Sequence, residues 1–286
     1  MSNIIKSLKF LRWNLKWIRY IGKFYRKLLN FKKSPYINQL KDIKSNGQSN
    51  GLFEDGWDRL LFSDTINFLD ERHHHLKGDG KSFFDISSLY SSEVNACAIK
   101  VLSDPKVSNM ISEYFYGEDP WLWNVSLNQS IPKKGLSDSQ FWHFDYGDSK
   151  QLHLMFYVTK ITEKSGPFTF MPKKISNKVR RNPFFIERLT DEDLIERHSI
   201  DPEEKIQATG EQGTLYIVDP GVLMHQGARC EEERTVLFIT ITTSTPYDLG
   251  GSSTLNRDSR NRLYNEYSAT GQKNTDSLVF SKHFFH

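Results

Sequence analysis

TVLFITITTS, residues 235 to 244, is β-branched almost throughout and alternates with a period close to two. Threonine, isoleucine and valine lose side-chain freedom in a helix, whereas a pleated surface packs them well. Three further stretches read the same way: WLWNVSLNQSI from Trp121, QLHLMFYVTKI from Gln151 and TLYIVDP from Thr214. Strands separated by turns and by one long insertion, residues 173 to 208, predict an antiparallel β structure, either sandwich or barrel. Within the insertion, TDEDLIERH predicts a short helix, with Thr190 as its cap and Asp193 returning a carboxylate. Upstream, residues 57 to 75 and 90 to 116 carry helical patterning. Ser91 or Ser92 offers a cap there, and Pro105 suits the first turn of a second helix. The expected fold class is an all-β core with flanking helices.

Charge divides the chain unevenly. The formal net charge is +3, yet residues 1 to 41 hold eleven Lys or Arg and no acid. The rest carries 27 basic against 35 acidic groups, so the basic character belongs to one end and gives no argument for a nucleic-acid enzyme. Lys6, Lys9, Arg12, Lys16, Arg19, Lys23 and Arg26 recur every three or four positions, opposite Leu8, Leu11, Leu15 and Ile18. That spacing predicts an amphipathic helix over residues 4 to 29. Charge interrupts it too often for a membrane span, and it lacks the uninterrupted apolar stretch of a signal peptide. Its apolar face suits three surroundings: the chain's own body, an anionic membrane surface or a partner protein. We therefore divide the chain into a basic helix and linker, 1–41, and a single domain, 42–286. Two cysteines, Cys97 and Cys230, make no disulfide framework and fit a reducing compartment. The expected location is the cytoplasm, with peripheral contact at the inner face of a membrane as the alternative. RHHHLKGDG, residues 72 to 80, reads as an exposed cluster, since adjacent histidines on a helix point in different directions and its glycines mark a turn.

WHFDYGD, residues 142 to 148, carries the first chemistry. His143 and Asp145 stand two apart, so on a strand they share a face and can converge on one metal ion. A His-x-Asp triplet is common, and a third ligand is needed. GTLYIVDPGVLMHQGARCEEERTVLFITIT supplies it: a strand over Leu215 to Val218, a turn at Asp219-Pro220-Gly221, then His225 and a second strand from Arg234. Two histidines and one carboxylate on different strands match a facial triad for non-haem Fe(II), with three positions open.

This ordered set resembles the Fe(II)/2-oxoglutarate-dependent oxygenases, in particular the phytanoyl-CoA dioxygenase-like branch. Trp142-His143-Phe144-Asp145 corresponds to its WHxD stretch, SGPFTFMPKKI to its Gly-Pro segment at mid-domain, and His225 and Arg234 to its distal histidine and cosubstrate arginine. The resemblance covers about residues 95 to 245. It departs where the family's Gly-Ser-His turn is replaced by Lys173-Lys174-Ile175. It implies a double-stranded β-helix, the jelly roll of cupin-like proteins, and a single site. There His143, Asp145 and His225 bind Fe(II), and Arg234 grips the distal carboxylate of 2-oxoglutarate through its guanidinium fork. Arg229 is the rival for that grip. Gln151, His153, Thr169 and Asn128 are further candidates to meet the cosubstrate or substrate. Asn124 and Tyr157 share the faces concerned. The implied reaction uses O2, releases succinate and CO2, and hydroxylates an unactivated C–H bond. Related halogenases lack the carboxylate at the position of Asp145, so its presence favours hydroxylation. The substrate expected is a small molecule, or a lipid-linked or glycan compound. Two other readings stand beside it: a metal enzyme independent of 2-oxoglutarate on the same barrel, and a non-catalytic scaffold at a membrane.

Overall fold

The computed structural model describes residues 48–49, 83–115, 120–145, 148, 150–180, 188–227, 229–243, 255, 257–269 and 284. The helix expected over residues 4 to 29, the helical pattern at 57 to 75 and the RHHHLKGDG cluster lie outside the described residues. Among those described, no helix is long and apolar enough to cross a membrane. Both cysteines are free and buried.

Among the described residues, nine strands form two antiparallel sheets. They are β1 (Gln48–Ser49), β2 (Phe83–Asp85), β3 (Pro120–Ser130), β4 (Gln151–Tyr157), β5 (Phe168–Phe170), β6 (Ile206–Ala208), β7 (Leu215–Val218), β8 (His225–Gln226) and β9 (Arg234–Thr243). The major sheet has the order β1-β7-β4-β9-β3-β2, and the minor sheet β6-β5-β8. Residues 142 and 143 extend the minor sheet through bridges to Leu189 and His225. The two sheets face one another across Met155, Tyr157, Tyr216, Val218 and Val236 from one side and Phe168, Phe170, Ala208 and Leu223 from the other. This is the double-stranded β-helix, as expected.

The period of two decides what each strand buries. Leu152, Leu154 and Phe156 of β4 point outward with Leu215, Ile217, Leu237, Ile239 and Ile241, and they pack on helices. Those helices are α1 (Ser91–Ser103), α2 (Pro105–Tyr114) and, from the far end of the chain, α5 (Arg257–Ala269). Ser91 is the first residue of α1 rather than its cap; the cap position falls on Tyr90, with no side-chain bond. Pro105 opens α2 as predicted, and Asp104 ahead of it accepts from the amides of Lys106 and Val107. On the outer face of the minor sheet sit α3 (Lys173–Arg180) and α4 (Asp191–His198), packed on Trp142, Phe144, Met171 and Met224. Helix α4 is the one predicted in TDEDLIERH. Thr190 accepts from the Asp193 amide, and the Asp193 carboxylate accepts from that of Thr190. Helix α3 begins at Lys173, where the resemblance implies a turn.

Candidate metal centre

His143 and His225 face each other as a hydrogen-bonded antiparallel pair, each amide donating to the other's carbonyl at 2.9 Å. Alternation sends Trp142, Phe144 and Met224 into the helical layer. It leaves His143, Asp145 and His225 on the opposite face. The Asp145 amide donates to the Pro220 carbonyl at 3.1 Å, which ties this segment to the turn after β7. The three side chains each bring one ligand atom within 4.8 Å of the others. Asp145 Oδ1 lies 3.5 Å from His143 Nε2 and 3.8 Å from His225 Nε2.

The protonation pattern suits a cation. His143 Nδ1 stands 2.7 Å from the Phe141 carbonyl and His225 Nδ1 stands 3.0 Å from the Leu223 carbonyl. A carbonyl only accepts, so both Nδ1 atoms carry the proton and both Nε2 lone pairs are bare. Burial, reinforced by the charge of the His143 ring, pushes His225 down to about 3. Burial also lowers His143, although Asp145 opposes it. Neutral imidazoles are the ligand form. Burial by itself would raise Asp145; the hydrogen bond from His153 and the electrostatic influence of the surrounding imidazoles outweigh that and hold its carboxyl well below the usual range. Two neutral nitrogens and one carboxylate oxygen, with Asp145 still 28 % exposed, form a donor set that fits a divalent first-row metal open on one side.

The interior face of the major sheet supplies the rest. Asn124, Thr240, His153 and Val218 are neighbours across β3, β9, β4 and β7, as are Asn128, Val236 and Tyr157. Arg234 pairs with Ser130 at the end of that face. Arg234 is 4 % exposed, its Nε has no partner, and among the described residues no carboxylate lies within ion-pair distance of it. Burial lowers its pKa, with the Tyr157 and Cys230 side chains as the nearest opposing influences. A guanidinium loses its proton too reluctantly to relieve this, so the charge stays. Pairing with Glu231 or Glu232 at the surface is therefore not its role.

Arg229 is different. Its Nε donates to the Gln140 carbonyl at 2.8 Å and Nη1 to Asp191 Oδ2 at 2.6 Å. Asp191 Oδ1 accepts from the Trp142 indole at 2.6 Å. One carboxylate at the start of α4 thus joins the residue before His143 to the residue four after His225, and holds the two ligand-bearing segments together. Sequence reasoning missed Asp191, because it is 49 residues from Trp142 and nothing local marks it.

The remaining candidates divide. Gln151 and His153 stand beside the triad: His153 Nε2 is 3.0 Å from Asp145 Oδ2, and Gln151 Nε2 is 3.3 Å from the same ring nitrogen. Asn128 lies on the interior face, one pair of residues from Arg234; it donates to Ser126 Oγ while its Oδ1 has no partner. Tyr157 gives its hydroxyl proton to the Ala208 carbonyl. Thr169 is not brought to the triad. It alternates away from Phe168, which stacks on His225 with centroids 4.9 Å apart, and its hydroxyl donates to the Pro167 carbonyl. Asp148 ties the end of β9 by accepting from the amide and hydroxyl of Thr243. The glycine of the Gly-Pro segment has a backbone reason: Gly166 has φ +61°, and a Cβ there would lie 2.6 Å from the Cys230 amide nitrogen.

No family model matches this chain, and no curated protein matches it. Solved structures do. HygX from Streptomyces hygroscopicus, solved with nickel and 2-oxoglutarate bound, matches 74% of this chain and 87% of its own at 13% identity, with a TM-score of 0.44. The non-heme alpha ketoglutarate dependent epimerase SnoN from nogalamycin biosynthesis matches 77% of this chain and 92% of its own at 13% identity, with a TM-score of 0.43. EctD from S. alaskensis in its apoform covers 79% of this chain and 84% of its own, with 17% identity and a TM-score of 0.51, a likeness of fold.

Proposed function

We propose that this chain is an Fe(II)- and 2-oxoglutarate-dependent oxygenase that hydroxylates a C–H bond of a small molecule. The observation that carries the reading is Arg234. A buried guanidinium without a carboxylate destabilises the fold unless an anion joins it, and it lies on the interior face that also holds His153 against Asp145. The neighbours SnoN, EctD and HygX, whose names or contents speak of iron, nickel or 2-oxoglutarate, are consistent with it.

When bound, iron would supply the oxidising chemistry, with O2 as the oxidant, the 2-oxo acid as the co-reductant, and succinate and CO2 as the co-products. The chain's own residues supply position and environment. His143, Asp145 and His225 offer three donors from one side and leave the other side to cosubstrate and oxygen. Arg234 binds the distal carboxylate. Phe168 and Phe238 limit water around the ring of His225 and that of His153. Asn124, Asn128 and Gln151 each present a buried oxygen without a partner on the interior face. Such acceptors favour a substrate that donates hydrogen bonds over one that is wholly hydrocarbon. A glycan or another polyhydroxylated compound meets that requirement better than a fatty acyl chain.

The test is release of succinate from 2-oxoglutarate under air, with and without Fe(II). The wild type should release succinate only with iron, and Arg234→Ala should need far more 2-oxoglutarate to do so. Iron-independent release, or none at any concentration of cosubstrate, would refute the assignment.

A further inference from the structure

We infer that His153 is a positioning residue for the metal site, fixing which oxygen of Asp145 faces the ion. The inference rests on the proposed metal-binding role of His143, Asp145 and His225. The two oxygens of Asp145 have different surroundings. Oδ1 lies 3.5 and 3.8 Å from the Nε2 atoms of His143 and His225. Oδ2 points the other way and lies 3.0 Å from His153 Nε2. A lone pair on that nitrogen would repel the carboxylate, so it carries a proton and donates. His153 Nδ1 then accepts from the Thr240 hydroxyl at 2.9 Å. Gln151 Nε2 also approaches His153 Nε2, at 3.3 Å, but the carboxylate is nearer and charged, and it decides the tautomer.

The ring is well held. His153 is on β4 between β7 and β9, and Phe238 meets its face edge-on with centroids 6.2 Å apart. Asp145, by contrast, sits outside any strand, with its amide anchored on Pro220. Rotation about its side-chain bonds is the freedom that remains, and the donor from His153 removes it. With Oδ2 engaged, Asp145 presents a single oxygen and three positions stay open, the number that a chelating 2-oxo acid and O2 together require. The line Thr240–His153–Asp145 thus reaches from a core strand to a ligand that no strand holds.

The experiment uses full-length protein loaded anaerobically with Co(II), a metal whose visible spectrum reports its coordination. Affinity and spectrum are compared for the wild type, His225→Ala, His153→Leu, His153→Gln and Thr240→Val, with a melting curve for each. We expect His153→Leu to bind Co(II) about 10-fold or more weakly with an altered spectrum. His153→Gln restores an N–H donor and should recover most of both. Thr240→Val keeps the ring and removes its support, so it should lose less in the same direction, and it serves if His153→Leu does not fold. Wild-type affinity and spectrum in His153→Leu and Thr240→Val would overturn the inference while leaving the metal site standing, provided that His225→Ala has lost the ion. If the wild type and His225→Ala bind Co(II) alike, the metal site itself fails and the inference with it.

Discussion

The two faces of the major sheet come from the same strands and have opposite chemistry. On β4, Leu152, Leu154 and Phe156 go outward into an apolar layer under α1, α2 and α5. Gln151, His153 and Tyr157, one residue out of step, go inward. The outer face is apolar apart from Gln129, whose buried amide also lacks a partner. The inner face holds unpartnered oxygens on Asn124, Asn128 and Gln151, and a buried arginine with no counter-ion among the described residues. Folding alone does not reward that arrangement, since each such group is destabilising in the empty protein. The outer face stabilises the fold, and the inner face is organised for something that binds.

Exchanging one residue on each face should separate the two. Leu154→Ala should lower stability by about 2–5 kcal/mol, through lost burial and the cavity left behind. Asn128→Leu, of the same branched shape though larger, removes the unpartnered Oδ1 together with one bond to Ser126 and should cost well under the Leu154→Ala loss. Urea unfolding measures both. A large loss from Asn128→Leu would mean that the inner face, too, is built for stability.

The two arginines sharpen it further. Arg234→Met should leave stability unchanged or improve it, while weakening 2-oxoglutarate binding by about 1.5–3 kcal/mol, roughly 10- to 100-fold. Arg229→Met should do the reverse. It breaks bonds to Gln140 and Asp191 and should cost about 1–3 kcal/mol of stability, with cosubstrate affinity retained. Calorimetric titration beside thermal melts separates the two.

Acid should reveal the inner face as well. His225 binds its proton near pH 3 in the folded, metal-free chain and near 6.5 when unfolded. Between those values only the unfolded chain takes up the proton, so stability falls as pH falls. The slope from this residue approaches about 1.4 kcal/mol per pH unit. The lowered His143 acts in the same sense. Asp145 adds to the loss only below its ordinary carboxylate range. Melts of chelator-treated protein from pH 7 to 4.5 should show this decline, and His225→Gln should flatten it.

Much of the fold was legible because alternation is a local signal. The four long runs became β3, β4, β7 and β9, and the start of β9 at Arg234 could be read from the charge that precedes TVLFITIT. His143, Asp145 and His225 were legible for the same reason: an i, i+2 pair and a residue after a turn have their faces set by the strands beside them. Helix α5 was not. RDSRNRLYNEYSA has a weak apolar period, and it docks through Arg260, Leu263 and Tyr267, whose partners are elsewhere in the chain. Arg260 lies over Trp121 at 4.1 Å and donates to the Leu255 carbonyl, contacts with no trace in the local sequence. Likewise the inward face of His153 was readable, but not its bond to Asp145, which depends on how a loop settles over a sheet. Arg234 was preferred to Arg229 in sequence because it opens the strand; the partners that occupy Arg229, Gln140 and Asp191, could not be read there.

We propose that one ion is held by His143, Asp145 and His225 together. Anaerobic Fe(II) titration of the full-length wild type and of His225→Ala, with a melt to confirm that the variant is folded, tests it most directly. One tightly bound Fe(II) per chain is expected in the wild type, and a folded variant that has lost it. A folded His225→Ala that binds Fe(II) with wild-type stoichiometry and affinity would contradict it.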